Sequence, residues 1–105
     1  MRLEMEKGEA LVNPDAEALE RALRSVDGWD NCFARLEAEN SENDFLQAMG
    51  GPDEFTIEYQ EAGRLFRRDP VRLETVIALF QSYRRGDDWW RRGLIWKEVT
   101  ELEQK

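Results

Sequence analysis

The chain has 105 residues, 36% of them charged and 41% hydrophobic, with a net charge of −8 and no histidine. That length and apolar content suit one globular domain, and the missing histidine excludes Ser-His-Asp and Cys-His catalysis and most zinc sites. No apolar run is long enough to span a membrane, Met1–Ala10 lacks the apolar centre of a secretory signal, and a lone Cys32 cannot close an internal disulfide, so a cytoplasmic setting is expected.

Met1–Val12 shows no sustained period and reads as a mobile lead-in to the single domain 1–105. Asn13 as cap and Pro14 as first residue open a helix with the apolar stripe Ala16, Leu19, Ala22, Leu23 and Val26, and Gly28 ends it. Trp29–Asn31 is a turn. From Cys32 the period changes to two: Cys32, Ala34, Leu36 and Ala38 face one side, and Phe33, Arg35, Glu37 and Glu39 face the other. Asn40–Asn43 is a polar hairpin connection, Asp44–Met49 a second strand, and Gly50-Gly51-Pro52 a turn or bulge. Glu54–Gln60 is the clearest strand, with Phe55, Ile57 and Tyr59 opposite Glu54, Thr56, Glu58 and Gln60.

After the Glu61-Ala62-Gly63 return, Arg64–Arg68 makes a short fourth strand whose arginines suit an exposed edge. Asp69-Pro70 opens a second helix, with Leu73, Val76, Ile77, Phe80 and Tyr83 on its buried face and Gly86 as its stop. Asp87–Gly93 turns the chain into a closing strand, Leu94–Val99, with Ile95, Lys97 and Val99 on one side and Leu94 and Trp96 on the other. The order α-β-β-β-β-α-β predicts an α+β fold, an antiparallel sheet of about five strands with two helices packed on one face.

Charge divides along the chain. Met1–Glu61 holds 16 acids and 5 bases, a balance of −11, whereas Ala62–Lys105 holds 7 acids and 10 bases, a balance of +3. One domain built from these halves could show an acidic face and a basic strip, and its overall acidity repels nucleic acid and attracts basic proteins. Cys32 within an alternating strand reads as a small core residue rather than a nucleophile. Asp87-Asp88 after Gly86 solubilises a turn and pairs with nearby arginines, and Asn40–Asp44 lacks the glycine and distal glutamate of a calcium loop. No cofactor and no enzyme activity are expected. The Trp89-Trp90-Arg91-Arg92 run is open to three readings: core packing, a protein interface, or stacking on single-stranded nucleic acid, which the acidity of the chain disfavours.

The early Leu-bearing helix, the meander ending in EFTIEYQEAG and the run VIALFQSYRRGDDWWRRGLIW resemble, by their layout over Ala16–Val99, bacterial immunity proteins that guard cells against their own polymorphic toxins. The resemblance implies an antitoxin role, stoichiometric binding of a toxin domain that blocks its active site or substrate groove. Strand alternation, independently of the family, names Glu37, Glu39, Glu54, Glu58 and Glu61 as outward acids for a basic partner, because complementary charge speeds encounter and sets orientation. Trp89 or Trp90 would be the apolar anchor, with Arg91 and Arg92 beside it. The competing expectation is a homodimer joined through this Trp/Arg-rich C-terminal region.

Overall fold

The computed structural model describes residues 1–39 and 43–99. Among them the fold is α+β, with one antiparallel sheet and three helices. The strands are β1 (Arg2–Met5), β2 (Leu11–Val12), β3 (Phe33–Glu37), β4 (Phe45–Gly50), β5 (Glu54–Glu61), β6 (Arg64–Arg72) and β7 (Lys97–Glu98). The helices are α1 (Ala16–Arg24), α2 (Leu73–Arg85) and α3 (Trp89–Arg92). The sheet order is β2-β1-β3-β4-β5-β6-β7, so the expected five-stranded sheet and its element order are corrected to seven strands. Most of Asn40–Asn43, expected as a hairpin connection, lies outside the described residues.

The added strands come from Met1–Val12, where a mobile lead-in was expected. β1 pairs in register with β3, setting Leu3 beside Leu36, and β2 folds back onto Arg2 and Leu3. Four residues alternating too briefly to show a period acquire their structure from the neighbouring strand, which supplies the hydrogen-bond partners.

One face of the sheet is apolar because successive strands place alternate residues there. Leu3, Leu36, Leu46, Tyr59 and Phe66 are cross-strand neighbours over five strands, and Ala34, Ala48 and Ile57 form the next row. Helices α1 and α2 complete the core with Leu19, Leu23, Val76, Leu79 and Phe80, joined by Val26 just beyond α1. Near its end, α2 lies beside the start of α1, where Gln81 Nε2 donates to the Ala16 carbonyl (2.7 Å). The opposite face carries a polar row, Glu4, Arg35, Gln47, Glu58, Arg67 and Lys97, one residue from each of six adjacent strands.

Both helix starts differ from the sequence expectation. Asp15, not Asn13, caps α1, its Oδ1 accepting from Ala18 N–H (2.8 Å), while Asn13 N–H donates to the Met1 carbonyl (2.6 Å) at the open end of the β1–β2 pair. Helix α2 begins at Leu73, and Asp69-Pro70 lies inside β6. An Asp-Pro pair fits a helix start, but the residue before proline is also biased towards extended backbone. Proline is tolerated there because β7 pairs with β6 at Phe66 and Arg67 only, so Pro70 has no ladder bond to lose on that side. The closing strand is shorter than Leu94–Val99, and its sides differ from alternation: Val99 is buried whereas Ile95 points into solvent.

Candidate functional site

Sequence reasoning named one cluster of tryptophans at the C-terminal end, and the structure separates it into an inner and an outer part. Gly86, with φ of 80°, stops α2, and α3 follows directly. Over this short helix Trp90 turns inward and is 6% exposed. Its ring meets Tyr59 (4.8 Å between centroids) and Tyr83 (5.0 Å) edge-on, and Trp96 stands edge-on to Tyr59 at 4.8 Å. The Trp90 N–H donates to Ser82 Oγ (2.9 Å), Ser82 Oγ–H donates to Asp87, and Trp96 Nε1–H donates to the Arg91 carbonyl (3.2 Å). Burial, with the charges of Asp44 and Glu61 behind it, pushes the Tyr83 phenol up to about 12, so it stays protonated and serves as a packing group. Trp90 is therefore a core residue, while Trp89, 46% exposed, is the outer member of the pair.

Of the eight arginines of this half, four are engaged by the chain's own acids, which breaks up the expected basic strip. Arg64 pairs with Glu98 (2.7 Å), Arg67 with Glu58 (2.6 Å), Arg85 with Asp87 (3.1 Å) and Arg91 with Glu61. Arg92 and Arg72 are exposed and have no ion-pair partner among the described residues.

The five acids named from strand alternation are not brought together as one surface. Glu58 does lie on the helix-free face, but it is 7% exposed, held by Arg67 and by Gln47 Nε2 (3.5 Å). Alternation assigned its side correctly; the long side chains of Gln47 and Arg67 on neighbouring strands cover it. Glu61 faces the other side and pairs with Arg91. Glu37 is half-buried beside Arg2 (3.9 Å). Glu39 and Glu54 are exposed, at opposite ends of the sheet, and have no ion-pair partner among the described residues.

A second corner, absent from the sequence expectation, presents the most exposed tryptophan. Trp29 is 85% exposed, in the loop that follows α1. The Asp27 carboxylate closes this loop by accepting from the N–H groups of Trp29 (2.9 Å), Asp30 (3.0 Å) and Asn31 (3.0 Å). Those backbone bonds, the one from Asn31 foremost, hold the Asp27 carboxyl below its usual range. Asn31, buried beneath, donates to Ser25 Oγ (3.0 Å) and accepts from Lys7 N–H (3.2 Å).

The loop rests on the β4–β5 turn. A Cβ on Gly28 would come within 3.0 Å of the Gly51 carbonyl oxygen, and one on Gly51 within 2.7 Å of the Val26 carbonyl oxygen. Cys32, expected in the strand, precedes it here. A hydrogen bond to Glu6 raises the thiol above its usual range, which makes it a poor nucleophile. The signal for Trp29 was present in its setting: a tryptophan between Gly28 and Asp30 has no periodic element to turn it inward.

Among the described residues, no group of three or more His, Cys, Asp or Glu is placed to hold a metal ion, and no helix is long and apolar enough to cross a membrane. No protein-family model, curated protein or solved structure matches the chain.

Proposed function

We propose that this chain is an acidic protein-binding module that captures one basic partner stoichiometrically, a cytoplasmic toxin-neutralising immunity protein being the concrete case. The observation that carries this reading is the asymmetry of charge engagement. Among the described residues Arg64, Arg67, Arg85 and Arg91 are turned onto the chain's own carboxylates, and the exposed acids Asp30, Glu39, Asp53, Glu54, Glu74 and Asp88, without an ion-pair partner, outnumber the exposed arginines without one, Arg21, Arg68, Arg72 and Arg92. The excess of acids in a chain of net charge −8 thus includes a set of outward carboxylates among the described residues. Such a surface draws a basic protein in quickly and repels nucleic acid. The immunity role rests on the resemblance of layout over Ala16–Val99.

Capture from a lysate of the producing cell at about 0.1 M salt, followed by a wash at about 0.5 M, tests this reading, because exposed charge pairs are screened on that scale. The expected result is one basic protein retained at equimolar amount and released by salt; if it is toxic, co-production should protect the cell. Recovery of nothing basic contradicts the reading.

A second reading is a homodimer through the C-terminal corner, favoured by the exposure of Trp89 and Ile95 there. A concentration-dependent mass of two chains in analytical ultracentrifugation, abolished by Trp89→Ala together with Ile95→Ser, would select it.

A further inference from the structure

We infer that the Trp29 indole is the platform on which an arginine side chain of the basic partner stacks. This rests on the binding reading above and names the contact. Trp29 is 85% exposed, although tryptophan gains more from burial than almost any side chain and dominates protein–protein hot spots. Its backbone is fixed by the three bonds to Asp27 and by the seat on Gly50 and Gly51, so little ordering is needed when a partner arrives.

The charges at this end select the occupant. Next to the seat of the loop, a shallow depression of about 670 Å³ runs between the Gly51–Glu54 turn and the start of α2 at Arg72–Glu74. Asp53, Glu54 and Glu74 line it against one base, Arg72, and Asp30 follows Trp29 directly. None of these four carboxylates has an ion-pair partner among the described residues. A guanidinium meets both demands: its flat face stacks on an indole, and its fork donates to carboxylates. Lysine meets only the charge equally well. The other exposed tryptophan, Trp89, has Asp87 and Asp88 before it but Arg91, Arg92 and Lys97 after it, a mixed rather than an acidic setting.

The four tryptophans give four indole N–H signals in a ¹H–¹⁵N spectrum, and Trp29→Ala identifies one of them. The probe is a blocked octapeptide of alternating arginine and glycine, added at low salt, with citrulline and lysine versions as controls. The arginine peptide should move the Trp29 indole signal and the Asp30, Asp53 and Glu54 amides to saturation. The citrulline peptide should move none of them, and the lysine peptide should bind more weakly than the arginine one. Trp29→Ala should weaken binding about fivefold, the scale of an exposed cation–π contact, with the other three indole signals in place as proof of an intact fold. Movement of the carboxylate amides with a stationary Trp29 indole, or movement centred on Trp89, would overturn the platform and leave the acidic binder standing. No saturable binding of any cationic peptide would overturn both.

Discussion

The Trp29 loop and the α3 corner use the same residue types to opposite ends. At α3, a helical turn presents Trp90 to Tyr59 and Tyr83, and Arg91 turns back onto Glu61. At the Asp27–Asn31 loop the carboxylate turns inward to hold backbone N–H groups, and the indole is left outside. The two corners lie near opposite ends of α2, a helix of 13 residues and so about 20 Å long. The difference teaches that a Trp–charge run becomes core or surface according to what the adjacent element can cover. A helix beside an open sheet end covers its tryptophan. A loop seated on two glycines has nothing to cover one with.

Trp90→Ala should break the comparison hardest. Emptying that aromatic cluster is expected to cost about 3–5 kcal/mol, read from urea denaturation; a loss under about 1 kcal/mol would place Trp90 outside the core. Gly51→Ala comes next. Its φ of 93° and the 2.7 Å approach of a Cβ to the Val26 carbonyl oxygen leave no room, so about 1–3 kcal/mol of stability should be lost as the loop lifts from its seat.

How much of this was legible in the sequence follows from which residues carry their own signal. The stripe Val76, Phe80 and Tyr83 and the alternation Phe55, Ile57 and Tyr59 fix which side is buried, and all six are buried. β1 was not legible, because Arg2–Met5 needs β3 beside it to be a strand at all. Pro70 misled for a definite reason: Asp-Pro suits both a helix start and the poorly paired end of an edge strand. Glu58 shows the limit of alternation, which gives the face of a residue but not the length of its cross-strand neighbours. Trp29 was legible only by noticing that nothing periodic surrounds it.

Acid sharpens the comparison more gently. Asp27 is held below its ordinary 3.8 in the fold, so its contribution is complete above that value and is lost as pH falls through the lower folded one. The Trp29, Asp30 and Asn31 amides should then lose protection, measured against their intrinsic exchange rate at each pH, as the solution is acidified, an effect that Asp27→Asn should reproduce at neutral pH. Exchange independent of both would mean that the loop is held by something other than the carboxylate. The smallest effect is expected for Trp29→Ala on the fold itself, within about 0.5 kcal/mol of wild type by denaturation, as for exposed positions generally. A larger loss would make Trp29 a structural residue.

The most direct test compares Trp29→Ala with Trp89→Ala for binding to the salt-sensitive partner captured from lysate, by titration calorimetry at about 0.1 M salt. Trp29→Ala should weaken that complex by tenfold or more, about 1.4 kcal/mol, and Trp89→Ala should leave it within about threefold of wild type. The reverse order, or equal affinity of both variants with wild type, would contradict the assignment of the interface to the Trp29 corner.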